Sequence, residues 1–257
     1  MNIRFTKAHG AGNDFLLTWT EDAAQVDDLP AMARLICERH TGIGADGWIL
    51  IDGLAIRLFN ADGSEAEISG NGTRCAGALL VDAGRTGHEF DIQTGAGPKH
   101  LRLIERHGPT FLFEMDMGIP RWQEQEQEVC GVMATILDVG NPQCAVVCSE
   151  IPADWRELGS RIEGDPLFPK RTNVSFVRVV DPHTIEARFF ERGAGATLSS
   201  GTGSTGAAAA AIVRGFAKTP VRVITEAGDL HLRRDDSVYL TGPATLIGRG
   251  EFISPLP

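Results

Sequence analysis

The chain has 257 residues, 42% of them hydrophobic, with 30 glycines and a formal net charge of −10. This composition fits a globular protein of one large or two small domains, and the acidic balance argues against a nucleic-acid footprint or an anionic membrane surface. No run of 18 apolar residues could cross a membrane, no signal peptide opens the chain, and Cys37, Cys75, Cys130, Cys144 and Cys148 show neither C-x-x-C pairing nor zinc spacing, so a reduced cytoplasmic protein without a metal is expected.

Alternating, β-branched or aromatic runs between Gly, Asp and Asn turns predict strands at 3–7, 15–20, 48–52, 56–59, 90–93, 101–105 and 110–115. A helix opens at Asp28-Leu29-Pro30, with Asp as cap and Pro in its first turn, and buries Leu29, Met32, Leu35 and Ile36. A second helix is expected over about 70–83. The second half repeats the style, with strands at 132–139, 145–148, 174–180, 184–190, 221–226, 230–233 and 238–241 and a short helix at 154–160. Its long helix, over about 201–214, contains AAAAAIV. Both long helices are poor in charge along their middle, as helices buried all round tend to be.

A repeat underlies this symmetry. FNADGSEAEISGNG (Phe59–Gly72) aligns with FFERGAGATLSSGTG (Phe189–Gly203) on S-G-x-G, which matches Ser69 to Ser200, Gly70 to Gly201, Asn71 to Thr202 and Asn60 to Glu191. Gly12-Asn13 and Gly140-Asn141 form another pair at nearly the same separation. Two similar halves facing each other across a cleft are expected, one over 1–117 with the last strand at about 246–257, the other over 118–245. Each S-G-x-G places a serine before a glycine-rich helix start, whose bare N–H groups suit a carboxylate or phosphate. A single copy reads equally well as a plain helix N-cap.

The motifs HGAGNDF (His9–Phe15), RHTGIGADG (Arg39–Gly47), FNADGSEAE (Phe59–Glu67), GNGTRCAG (Gly70–Gly77), GNPQCAVV (Gly140–Val147), TNVSF (Thr172–Phe176), ERGAG (Glu191–Gly195) and SSGTG (Ser199–Gly203) resemble diaminopimelate epimerase over essentially the whole chain. The resemblance implies an α/β (α+β) fold of two pseudo-symmetric halves, each an antiparallel, barrel-like strand layer around a central helix. It implies a cofactor-independent, cytoplasmic, homodimeric isomerase of lysine and peptidoglycan precursor synthesis that epimerises the α-carbon of a small amino acid. In that family one cysteine removes the α-proton and a second protonates the opposite face.

Here both cysteine positions are serine, Ser69 and Ser200. Serine acts as a base only with a helper base beside it, and the sequence shows none at either place. The family histidine of GNPHC is Gln143, the glutamate of GAGET is Ala196, and the glutamine after GIGxD is Gly47. Cys75 matches a family cysteine that is not the nucleophile and reads as core. The acid Glu191 is kept. The ligand-holding positions Asn13, Asn60, Asn141, Asn173, Glu191 and Arg192 match, with the amides of Gly70, Asn71, Gly201 and Thr202 at the helix starts. Amide oxygens and Glu191 suit an ammonium, and Arg192 suits a distal carboxylate. Asp14 is expected to brace the Asn13 loop. Three functions stay open: epimerisation of a diamino diacid, a silent relative that binds an amino acid without turnover, and dehydration of a hydroxy-amino acid.

Overall fold

The computed structural model describes residues 1–254; the end of the strand expected over 246–257 lies outside them. The first half runs β1 (Asn2–Gly10), β2 (Asn13–Trp19), α1 (Leu29–Cys37), β3 (Gly47–Asp52), β4 (Ala55–Asn60) and β5 (Glu65–Ala66). It continues through α2 (Gly70–Asp82), β6 (Glu89–Thr94), β7 (Gly97–His107) and β8 (Thr110–Gly118). Two short strands follow, β9 (Arg121–Trp122) and β10 (Gln127–Val129). The second half runs β11 (Val132–Asp138), β12 (Pro142–Cys148), α3 (Trp155–Glu163), β13 (Asn173–Asp181), β14 (Thr184–Glu191) and β15 (Gly195–Thr197). It ends with α4 (Gly201–Val213), β16 (Val221–Thr225), β17 (Gly228–Arg234) and β18 (Val238–Ile253).

The order β-β-α-β-β-β-α-β-β-β therefore occurs twice, from β1 to β8 and from β11 to β18, and the pairings repeat with it. β2–β3 and β12–β13 are parallel, β3–β4 and β13–β14 antiparallel, β4–β6 and β14–β16 parallel, and β6–β7 and β16–β17 antiparallel. The layers expected as antiparallel thus each contain two parallel pairs, because α1 or α3 and α2 or α4 form crossovers between neighbouring strands. The chain divides into two compact units, Met1–Met115 with the described residues from Pro243 on, and Asp116–Gly242.

In the first unit β1, β2, β3, β4, β6, β7, β8 and β18 pair in a closed ring. Closure leaves no free edge, and α2 packs against β1, β2, β3, β4 and β6. Every residue of α2 from Gly70 to Leu80 is buried, so its small residues fit a crowded interior. α1 covers the outside: Asp28 caps it by accepting from the Ala31 N–H, and Met32, Ala33 and Ile36 reach the core beside Trp48 and Phe59.

In the second unit α4 packs against β11, β12, β13, β14, β16 and β17 in the same way. Its run Gly201–Ala208 is buried throughout. α3 covers this unit with Trp155, Leu158 and Ile162 against Phe176 and Val146.

One boundary differs from the sequence pattern. Gly242-Pro243 reads as a break, yet β18 continues through it. Pro243 falls between the run paired with β17, Val238–Thr241, and the run paired with β1, which begins at Thr245. In those two ladders its missing N–H costs no bond.

Candidate active site

The candidate residues sit at strand ends and helix starts. Asn13 is the first residue of β2 and Asn60 the last of β4; Asn173 is the first of β13 and Glu191 the last of β14. Gly12 and Gly140 both have positive φ, 80° and 97°, which turns the chain immediately before Asn13 and Asn141. Side chains at such positions project beyond the sheet while their backbones remain anchored in it.

Both serines are helix N-caps. Ser69 lies at φ −127°, ψ 122° and its Oγ accepts from the Gly72 N–H at 3.1 Å. Ser200 lies at φ −138°, ψ 126° and accepts from the Gly203 N–H at 3.0 Å. The plain capping role is therefore real for both, and the amides of Gly70 and Asn71 or of Gly201 and Thr202 sit in the first turn, where donors lack intrahelical partners.

Ser200 has a further partner. It is buried, and its hydroxyl donates to Glu191 Oε2 at 2.9 Å, while Thr197 Oγ1 donates to Glu191 Oε1 at 2.7 Å. The sequence offers no base nine residues from a serine as an obvious partner; the β14–β15 hairpin, with Phe190 opposite Ala196, folds the carboxylate back over the helix start. Thr197 is a site residue that the sequence reading did not include. At the matched place in the first unit Asn60 supplies a neutral amide, and its Nδ2 donates to Ser64 Oγ at 3.0 Å.

The candidate asparagines are nearly all buried and have their amides held by the protein. Asn173 Nδ2 donates to the Pro142 carbonyl at 3.0 Å and its Oδ1 accepts from the Arg192 N–H at 3.0 Å, which joins Asn173 to Arg192. The Arg192 guanidinium donates to the Lys170 carbonyl at 3.2 Å. Asn141 Oδ1 accepts from Gln143 Nε2 at 2.7 Å and its Nδ2 donates to Thr202 Oγ1 at 3.3 Å. Gln143 is fully buried with Oε1 unbonded.

Asn13 Oδ1 accepts from Asn71 Nδ2 at 3.3 Å and its Nδ2 donates to Asp46 Oδ2 at 2.7 Å. The brace of this loop is thus Asp46 as much as Asp14, which pairs with Lys7 at 3.0 Å and Arg39 at 2.8 Å. Burial alone would raise Asp14, but hydrogen bonds and charge from Arg39 and Lys7 outweigh it and hold its carboxyl below the usual carboxylate value. Burial and the neighbouring Asp14 charge push Asp46 above it.

Cys75 is fully buried and burial pushes its thiol up to about 12, which fits core packing rather than nucleophilic chemistry. Beside Ser69 the first unit has a cavity of about 300 Å³ whose lining includes Ile56, Leu58, Glu67, Thr73 and Gln93.

The family model for diaminopimelate epimerase matches residues 5–123 and 135–247. A relative named diaminopimelate epimerase from Moorella thermoacetica is 37% identical over 97% of this chain and 99% of its own length. The chain belongs to the diaminopimelate epimerase family. Another relative of that name, from Parabacteroides distasonis, is 37% identical over 97% of both chains. Among solved structures, a probable proline racemase from Agrobacterium radiobacter K84 superposes with a TM-score of 0.77 at 14% identity, covering 99% of this chain and 93% of that one. A hydroxyproline epimerase from Agrobacterium vitis gives 0.75 at 14% identity, covering 99% and 94%. At such identity these two show the fold. Among the described residues no helix is long and apolar enough to cross a membrane. The diaminopimelate epimerase family membership makes this an epimerase-type isomerase.

Proposed function

We propose that this chain binds an amino acid with a second ammonium and a second carboxylate, diaminopimelate or a close analogue, and epimerises its α-carbon without a cofactor. In this reading Ser69 and Ser200, each the N-cap of a buried helix, are the acid–base groups for the α-carbon. The Ser200–Glu191 hydrogen bond of 2.9 Å carries the proposal. Ser200 Oγ takes the α-proton as its own proton passes to Glu191, so negative charge leaves the carboxylate without a free alkoxide forming. The start of α4 offers Gly201 and Thr202 N–H groups to the ligand's α-carboxylate, and its dipole lowers the cost of charge developing there. Ser69 is assigned the return of a proton to the α-carbon. Asn13, Asn60, Asn141 and Asn173 hold the polar ends of the ligand, with Glu191 facing an ammonium and Arg192 the distal carboxylate. Turnover is slower than with two thiols, because a hydroxyl gives up its proton far less readily at neutral pH.

The relatives named diaminopimelate epimerase, at 37% identity over nearly the full length, support this choice of substrate. So does the survival of every ligand-holding asparagine. Residence in the cytoplasm and assembly as a homodimer belong to the same proposal; light scattering on the purified protein tests the dimer. The deciding experiment is proton NMR of meso-, LL- and DD-diaminopimelate in D₂O with the protein. Loss of the α-proton signal with interconversion of stereoisomers is expected. Binding with no exchange would overturn epimerisation, and release of water from a hydroxy-amino acid would favour a dehydratase.

Binding without turnover is the second reading, and two neutral residues favour it. Asn60, a neutral amide, occupies the place matched to Glu191, and Gln143 supplies no imidazole.

A further inference from the structure

Arg74 lies in the second turn of α2 and is fully buried. Among the described residues its hydrogen-bond acceptors are all neutral: Asn71 Oδ1 at 2.5 Å, the Gly70 carbonyl at 3.2 Å and the Pro243 carbonyl at 3.4 Å. A buried charge without a counter-charge is costly, and α2 carries no other charge before Asp82 at its end. Core packing does not explain a guanidinium at this position.

The bonds beyond Arg74 give it a role. From Asn71 the chain continues through Asn71 Nδ2 to Asn13 Oδ1, from Asn13 Nδ2 to Asp46 Oδ2, and Arg39 Nη2 reaches Asp46 Oδ1 at 2.8 Å. A guanidinium only donates, so Asn71 must turn its oxygen toward Arg74 and its NH₂ toward Asn13. An ionised carboxylate only accepts, so Asn13 must turn its NH₂ toward Asp46 and its oxygen toward Asn71. The two ends thus demand the same sense along the chain. Turning Asn13 over would set NH₂ against NH₂ on one side and oxygen against carboxylate on the other.

The corresponding chain in the second unit lacks this constraint. Gln143, Asn141 and Thr202 are all neutral, and the hydroxyl of Thr202 can donate or accept. Both amides there can reverse together and keep two hydrogen bonds. The position matched to Arg74 is Thr205, whose Oγ1 donates to the Gly201 carbonyl at 2.9 Å.

We propose that Arg74 is a positioning residue that fixes the sense of the Asn13 amide through Asn71, with Asp46 anchoring the far end. Asn13 then presents its remaining N–H and lone pair to the ligand in one orientation, ready before binding. Only the contact between Asn13 and ligand rests on the function proposed above; the fixed amide does not.

The test uses the full chain with Arg74→Gln, Arg74→Lys and Asn71→Asp. Without ligand, ¹⁵N NMR of side-chain amides in the unsubstituted protein should give one set of signals for Asn13. Arg74→Gln, which can accept as well as donate, should shift or double that set, and Arg74→Lys should restore it. Asn71→Asp keeps Arg74 paired with a charge, and so protects folding, but must also disturb Asn13 by presenting oxygen to it. An unchanged Asn13 signal in folded Arg74→Gln or Asn71→Asp overturns the proposal. With meso-diaminopimelate as probe, Arg74→Gln should weaken binding on the order of tenfold, and add nothing once Asn13→Ala is present, the coupling expected of residues in one network. Additive losses would mean that Arg74 acts on the fold and not through Asn13. If the unsubstituted protein fails to bind meso-diaminopimelate, the substrate assignment falls, and the amide signals still decide the role of Arg74.

Discussion

At the starts of α2 and α4 the same backbone device appears twice. Ser69 and Ser200 have nearly the same dihedral angles, cap their helices through the same bond to the third residue on, and each stands near an asparagine introduced by a positive-φ glycine. The charges are placed differently. In the first unit they lie behind the asparagine, in Arg74, Asp46 and Arg39, and the residue matched to Glu191 is the neutral Asn60. In the second unit the asparagine chain is neutral, and the carboxylate lies on the serine. A repeated backbone carries the same capped helix start twice, while its charges stand behind the asparagine in one copy and on the serine in the other.

Restoring thiols tests that division most severely. Ser69→Cys with Ser200→Cys should raise α-proton exchange by a factor on the order of 10² or more, since acid–base groups matched to the working pH contribute about 10²–10⁴-fold. Exchange is followed by NMR in D₂O. Either single cysteine should give less, and Gln143→His should add to the double form. No gain would show that the pocket has left this chemistry, in favour of the silent-binder reading.

Next is Glu191→Gln in the serine form. It keeps the shape and removes the base, so exchange should fall about 100-fold while the melting temperature changes little. Equal exchange rates in the two proteins would place the base elsewhere and remove the asymmetry.

Arg192→Ala should weaken a diamino diacid by about 1.5–3 kcal/mol, the contribution of a charge-assisted bond, and leave a simple mono-amino acid nearly unaffected. Calorimetry on both ligands measures the difference; equal losses would separate Arg192 from the distal end.

The smallest effect concerns the caps. Ser69→Ala should cost about 1 kcal/mol of stability, and Ser200→Ala more, because it also strips a hydrogen bond from Glu191 at a buried site. Urea unfolding compares the two. Equal costs would mean that the Glu191 bond adds nothing to the cap.

Much of this molecule is local and so legible in the chain. Period-2 runs marked most strands, Asp28 with Pro30 marked α1, and the paired S-G-x-G marked both helix starts, because pleat, cap and turn preferences act over a few neighbouring residues. The motifs also carried the family, since they fix the same turns and caps at the same separations. Short strands such as β5 and β15 escaped because they are defined by a partner strand rather than by their own residues. The parallel pairs escaped because crossovers decide them.

The site divides the same way. Residue type and register identified Ser69, Ser200, Glu191, Asn13, Asn60, Asn141, Asn173 and Arg192 as candidates. Arg74 stood in plain view as the one charge early in an apolar helix, but nothing adjacent in sequence shows what it touches. By itself the sequence determined which groups are present and which backbone positions need glycine, a cap or an alternating face. Only the tertiary structure decided that Glu191 meets Ser200, that Asp46 takes the amide of Asn13, and that a buried Arg74 closes the chain behind it. Those bonds join residues up to 58 positions apart, and their direction is set by charge at close range, which no local sequence pattern encodes.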